Sequence, residues 1–328
     1  MVVLSAKRFY TPLMKSSLFI MSSKQVKKSL RDVAFTLPTP FSDDGDTVDH
    51  RALESNVSHL ISAGGSLFVP CGNTGEYYSL SDQERIDVTE TTVETVEDEH
   101  TVLAGAGGST KDVISLAERY AAVGADATMV MPPSHAYLHE VGIREYYEAI
   151  ADASPLPLVL YKRSHTISDD ALGEVVEHEN VIGVKYAVND IDAFAKVAQV
   201  DADVVWINGI AERYAPAFAL EGAEGFSTGI GNFAPELALD LWRALDEREW
   251  DRARKIRDQF QSLEELREEG GSNNDISAAN NVPVIKHCME LAGLEGGPVR
   301  EPIVDLSDED RQRAREYYEP LAKRTVEQ

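Results

Sequence analysis

Between residues 32 and 248 the chain alternates short apolar runs with longer stretches of helical apolar spacing, eight times over. The apolar runs lie at 34–37, 66–70, 101–106, 126–131, 156–161, 181–185, 204–207 and 224–227. The helical stretches follow at 49–63, 82–98, 111–123, 142–153, from 168, 190–199, 210–221 and 235–246. Local signals agree with that division. Ser81 with Glu84 three residues on is a capping box, and Gly64-Gly65 and Gly124 stop the helices before them. Eight strand-then-helix units in about 215 residues predict a closed parallel (β/α)8 TIM barrel, an α/β fold. A doubly wound open sheet is the alternative. It usually has fewer strands and a glycine-rich first turn, and here the first turn is Pro38-Thr39-Pro40.

Outside the repeat the pattern changes. Residues 249–328 carry only helical spacing, at 249–269, 280–293 and 307–324, and read as a helical region packed on the barrel. The polar stretch 268–275 between two of these helices reads as a mobile loop. Residues 1–31 hold Lys7, Arg8, Lys15, Lys24, Lys27, Lys28 and Arg31 with no acidic residue before Asp32. They are set apart as a basic extension, disordered or upstream of a true start at Met21; a transit peptide is the other reading.

The remaining chain is strongly acidic, with a net charge of −25 for the 328 residues. Such a surface repels nucleic acid and anionic membranes, so neither is expected as a partner. Together with scarce lysine it fits adaptation to high salt. No apolar run approaches the ~18 residues of a membrane span. Cys71 and Cys288 are too few for a disulfide framework, which points to a reducing, cytoplasmic setting. His135 and His139 lack the carboxylate company of a metal-binding helix, and no metal is expected.

The chemistry-bearing residues gather where a barrel keeps its active site, at the carboxyl ends of the strands. Asn73-Thr74-Gly75-Glu76 follows the second strand, Pro132-Pro133 the fourth, and Tyr161 ends the fifth. Lys185 ends the sixth and Ser227-Thr228-Gly229 the eighth. Lysine is rarely buried, and a desolvated ammonium loses its proton more easily. A neutral amine at a strand end is suited to attack a ketone and form a Schiff base.

These motifs, together with Thr39-Pro40-Phe41, Gly183-Val184-Lys185 and Asn232-Phe233-Ala234-Pro235-Glu236, resemble the dihydrodipicolinate synthase/N-acetylneuraminate lyase family of class I aldolases. The resemblance runs from residue 32 to about 320, and Gly72-Asn73-Thr74-Gly75-Glu76 stands for the family's G-x-T-G-E. It implies that Lys185 forms an imine with a 2-keto acid while Tyr161 shuttles protons. It also implies that the Asn73–Gly75 amides and the Thr74 hydroxyl hold the substrate carboxylate, in a homotetramer that needs no cofactor.

Departures from the pattern point to a branch. Dihydrodipicolinate synthases carry a tyrosine pair after the strand-four proline, where this chain has Ser134-His135. The residue before Thr74 would be threonine in those enzymes and serine in the sialate lyases; here it is Asn73. Tyr161-Lys162-Arg163 and the run 226–233 look closer to the 5-dehydro-4-deoxyglucarate dehydratases and their 2-keto-3-deoxypentonate relatives. The expected reaction is therefore dehydration of a 2-keto-3-deoxy sugar acid. Arg163, Ser227 and Thr228 are expected at the rest of the substrate. Aldol cleavage by the same residues is the first alternative; behind it stand a dihydrodipicolinate synthase and a non-catalytic 2-keto-acid sensor on the same scaffold.

Overall fold

The computed structural model describes residues 21–325. Eight parallel strands close into a barrel in sequence order: β1 (Val33–Thr36), β2 (Leu67–Val69), β3 (Thr101–Ala106), β4 (Ala127–Val130), β5 (Leu158–Lys162), β6 (Val181–Tyr186), β7 (Val205–Asn208) and β8 (Gly225–Thr228). One helix precedes the barrel, α1 (Ser23–Ser29). Seven pack around it after the first seven strands: α2 (His50–Ala63), α3 (Asp82–Thr95), α4 (Thr110–Val123), α5 (Glu140–Ala153), α6 (Asp169–Val175), α7 (Ile191–Val197) and α8 (Ala215–Leu220). After β8 come α9 (Pro235–Asp246), α10 (Trp250–Glu268), α11 (Asn281–Leu291) and α12 (Asp308–Thr325).

Parallel strands covered on both faces need apolar side chains on both, and all eight strands are buried throughout. The inward set (Ala34, Leu67, Val69, Leu103, Ala127, Met129, Val159, Ile182, Val205 and Ile207) forms a separate cluster inside the barrel. The outward set joins the helices in the larger core.

The segment 21–31 departs from the expectation of a detached extension. It belongs to the barrel; residues 1–20 lie outside the described residues. Met21, Val26 and Leu30 are buried in the inner cluster and plug the end of the barrel where the strands begin. Burying side chains such as Val26 and Leu30 stabilises by roughly 1.5–3 kcal/mol each. The plug sits so close that a Cβ on Gly225 would lie 2.3 Å from the Leu30 carbonyl oxygen. Its basic residues face acidic partners on the barrel, Lys27 with Asp203 at 2.6 Å and Arg31 with Glu224 at 2.5 Å.

Helices α10, α11 and α12 pack on one another, and α10 also packs against α9. The stretch after α10 is tied at several points. The Asn274 side-chain amide donates to the Gly270 carbonyl at 2.8 Å. The Arg313 guanidinium grips both carboxylate oxygens of Glu269, at 2.6 and 2.7 Å. No described helix is long and apolar enough to cross a membrane.

Candidate active site

Lys185 and Tyr161 are register partners on β6 and β5. Directly paired residues of adjacent strands share a face, and both line a cavity of about 180 Å³ at the strands' carboxyl ends. The Lys185 Nζ stands 4.6 Å from the centre of the Tyr161 ring. Lys185 is only 9% exposed and has no carboxylate partner among the described residues. Burial brings its pKa down to about 7, and the guanidinium charges of Arg163 and Arg267 push the same way. At neutral pH a large share of this amine is therefore an unprotonated nucleophile. Burial moves the Tyr161 phenol in the opposite, upward direction, so it keeps its proton.

The loop after β2 forms another wall. Cys71 and Glu76 hold positive φ, both 56°, and a Cβ on Gly75 would meet the Leu37 carbonyl oxygen at 2.8 Å. The loop's own turns use the N–H groups of Glu76 and Tyr77, which donate to the Asn73 and Gly72 carbonyls. The N–H groups of Asn73, Thr74 and Gly75 donate to no acceptor among the described residues. Successive free amides of this kind suit an anion. The Thr74 hydroxyl lies 3.1 Å from that of Thr36, which in turn donates to the Thr228 carbonyl at 2.6 Å. The Asn73 amide reaches toward the Tyr161 hydroxyl at 3.4 Å, a long contact, and its buried Oδ1 has no partner among the described residues.

Glu76 fixes this loop from behind. Its side chain is fully buried and pairs with Lys286 of α11 at 2.6 Å. It also accepts the backbone N–H of Arg300 at 2.9 Å. Burial dominates both members of the pair, pushing the Glu76 carboxyl up and the Lys286 amine down.

The other expected residues fall as follows. Arg163, in the loop after β5, lines the cavity, is exposed and makes no ion pair among the described residues. Ser227 and Thr228 line the cavity too, but their hydroxyls have protein partners. Ser227 donates to the Asn208 carbonyl at 3.3 Å. Thr228 meets a carboxylate oxygen of Glu212 and accepts the Gly231 N–H at 2.6 Å. Gly75 shapes the loop rather than the cavity wall.

Four charged residues escaped the sequence reading, among them Glu268 of α10, which lines the cavity and pairs with Arg213 at 2.9 Å. Glu264 and Arg267 of α10 line the cavity, ion-paired at 2.5 Å and each 7% exposed at the side chain. Glu212, in the short 3-10 turn before α8, is wholly buried beside them. A signal was present: Ile256, Phe260 and Leu263 set an apolar face at spacings of four and three, and Arg267 occupies its next position.

Comparison with known proteins places this geometry. The family described as "Dihydrodipicolinate synthetase family" matches residues 29–319. The chain belongs to this family. Its members are class I Schiff-base lyases, and the chain is such a lyase. It is 32% identical over 279 residues to a 4-hydroxy-tetrahydrodipicolinate synthase of Methanosphaerula palustris, covering 83% of this chain and 92% of the relative. It is 28% identical over 298 residues to a "Probable 5-dehydro-4-deoxyglucarate dehydratase" of Pseudomonas savastanoi pv. phaseolicola, covering 88% and 95%. Among solved structures, dihydrodipicolinate synthase from Bacillus clausii superimposes with a TM-score of 0.86 at 34% identity, covering 90% of this chain and 99% of that one.

Proposed function

We propose that this lyase dehydrates a 2-keto-3-deoxy sugar acid, either a 2-keto-3-deoxypentonate or 5-dehydro-4-deoxyglucarate. The observation that carries the reading is the pairing of a readily deprotonated Lys185 beside Tyr161 with a guanidinium, Arg163, that has no ion pair among the described residues, in the same cavity. The substrate's C1 carboxylate takes the free amides of Asn73 and Thr74 and the Thr74 hydroxyl. Lys185 attacks the C2 ketone, and Tyr161 moves protons through the carbinolamine to the imine. The iminium withdraws electrons from C3, whose proton leaves to give the enamine. The enamine then expels the C4 oxygen as water, and hydrolysis frees Lys185. Arg163 holds the far end of the substrate, by its terminal hydroxyl or carboxylate.

Likeness to a protein named as a dehydratase over nearly the whole chain supports this reaction. So does Asn73, which offers Tyr161 a side-chain amide where the synthase pattern has a hydroxyl. A second reading is condensation or cleavage through the same imine, favoured by the relatives named as synthases. The protein acts as a cytoplasmic homo-oligomer, a tetramer by its family's habit, with a salt-adapted acidic surface. Exposed Tyr137, Leu138 and Val141 after β4 suit a subunit contact.

Incubation of the purified protein with each sugar acid, followed by mass spectrometry of the product, tests the reaction. A product short of one water from the pentonate, or of one water and one carbon dioxide from the glucarate, supports the proposal; pyruvate with an aldehyde, or both acids unchanged, overturns it.

A further inference from the structure

Beyond C3 the substrate needs a surface that recognises its tail, and one wall of the cavity has no part in the imine chemistry. Lys185 lies on β6, with Arg163 after β5 on one flank and the ends of β7 and β8 on the other. Helix α10 packs over that second flank, against α9 and the 3-10 turn that follows β7. From α10 Glu264, Arg267 and Glu268 line the cavity, joined by Asn281, the first residue of α11.

One guanidinium sets the chemistry of this wall. Arg267 donates from Nη1 to Glu264 Oε1 at 2.5 Å and from Nη2 to Asn281 Oδ1 at 3.2 Å. It is nearly buried, and glycine at 229 leaves it room, because a Cβ there would lie 3.0 Å from Nη2. A guanidinium only donates, so it fixes the Asn281 amide with the oxygen toward Arg267 and the NH2 turned away. The Glu264 Oε2 and the Asn281 Nδ2 make no hydrogen bond with a described residue. The wall therefore presents a carboxylate acceptor and an amide donor, side by side on one rigid mount.

Charge decides which ligand group suits such a pair. Glu264 is matched by Arg267, and Glu268 by Arg213 at 2.9 Å, so this wall has no positive charge to spare. A carboxylate or phosphate here would meet two carboxylates and one neutral donor. A bare methylene tail would strip water from both groups and pair with neither. A hydroxyl suits both, donating to Glu264 and accepting from Asn281.

We propose that Glu264 and Asn281, mounted on Arg267, bind a tail hydroxyl of the substrate and select hydroxylated 2-keto acids over their deoxy counterparts. This rests on the sugar-acid reading above, and it holds whether the C4–O or the C3–C4 bond breaks. Arg163, on the opposite flank, keeps the far end of the chain. Arg267 is a positioning residue that aims the other two.

The test uses the full chain as wild type, Glu264→Gln and Asn281→Asp. Glu264→Gln turns the acceptor into a donor, since the glutamine oxygen must face Arg267. Asn281→Asp keeps an oxygen on Arg267 and removes the donor. Three quantities are read: kcat/KM for whichever sugar acid the wild type consumes, the pyruvate concentration that half-saturates borohydride inactivation, and inhibition by 2-oxopentanoate. Pyruvate has no tail, and 2-oxopentanoate has a five-carbon chain without tail hydroxyls. The sugar-acid kcat/KM is expected to fall about 10–100-fold in Glu264→Gln and about tenfold in Asn281→Asp. Half-saturation by pyruvate should stay within about threefold, and 2-oxopentanoate should inhibit both variants at least as well as wild type. Should Glu264→Gln fail to fold, Asn281→Asp decides by the same readouts. A sugar-acid kcat/KM within threefold of wild type in either folded variant, or a parallel weakening of pyruvate and 2-oxopentanoate, overturns the assignment. A wild type that half-saturates with pyruvate but consumes neither sugar acid overturns the sugar-acid reading itself, and the assignment with it.

Discussion

The barrel places a lysine and a tyrosine twice at the same height, once on each face of the β5–β6 pair. Tyr161 and Lys185 are register partners facing inward; one residue on, Lys162 and Tyr186 are partners facing outward. Both lysines are buried. The outer one is satisfied: the Lys162 Nζ donates to the Ile167 carbonyl at 2.7 Å and pairs with Asp169 at 2.9 Å, 5.5 Å from the Tyr186 ring centre. The Tyr186 hydroxyl contacts the same Asp169 at 3.3 Å. This set ties the loop that carries Arg163 to the start of α6. The inner lysine has the ring but, among the described residues, no anion. Burial alone does not make a reactive amine, because a buried counter-ion offsets desolvation; burial beside positive charge does.

The largest test of this contrast is removal of each amine. Lys185→Met should lower turnover on the order of 10⁵-fold, whereas Lys162→Met should stay within about tenfold of wild type, its effect passing through the Arg163 loop; steady-state kinetics reads both. Next come the rings. Tyr161→Phe should cost about 10²–10⁴-fold in rate as proton transfer slows, and Tyr186→Phe less than about threefold.

The pH dependence follows from the inner lysine's environment. Only the neutral amine attacks, so the borohydride-trapping rate should rise about tenfold per pH unit below the Lys185 pKa, about 7, and level off above it. Trapping that still rises tenfold per unit to pH 9 would mean an amine in ordinary solvent.

The smallest effect is on stability, and its sign should differ between the two lysines. Folding lowers the Lys185 pKa from 10.5, so below that value the unfolded chain binds a proton the folded chain resists. That cost is full below about 7 and vanishes as pH rises toward 10.5. Lys185→Met should therefore melt at or above wild type at pH 7, with the gain fading in alkali. Lys162→Met leaves Asp169 without its cation. Asp169 is partly exposed, so the loss should be only about 2 kcal/mol, read by denaturant unfolding.

The barrel was legible because each strand and helix announces itself locally. The apolar run at 181–185 and the capping box at Ser81 need no distant partner. Segment 21–31 was misjudged because seven helical residues with one buried position, Val26, carry little periodic signal. Their role depends on Gly183 and Gly225, which leave room for Leu30 in the folded barrel. At the site, Lys185, Tyr161 and Thr74 stood out by position on the rim. Glu264 and Arg267 were hidden in a helix rich in charge, and the Glu76–Lys286 clamp joins residues far apart in the chain. Such contacts exist only after closure of the barrel and docking of α10 and α11. The stretch 268–275 read as a mobile loop for its composition, but its ties run to Arg313 and within its own turn.

The central claim is that the unpaired inner lysine, and not its paired neighbour, is the nucleophile. Pyruvate is the smallest 2-keto acid that can occupy the imine position. The purified protein should be reduced with borohydride in the presence of pyruvate, then weighed intact and mapped by peptide. One three-carbon adduct per chain on Lys185, absent in Lys185→Met, is the predicted result. An unmodified Lys185, or an adduct on Lys162 instead, would contradict the account.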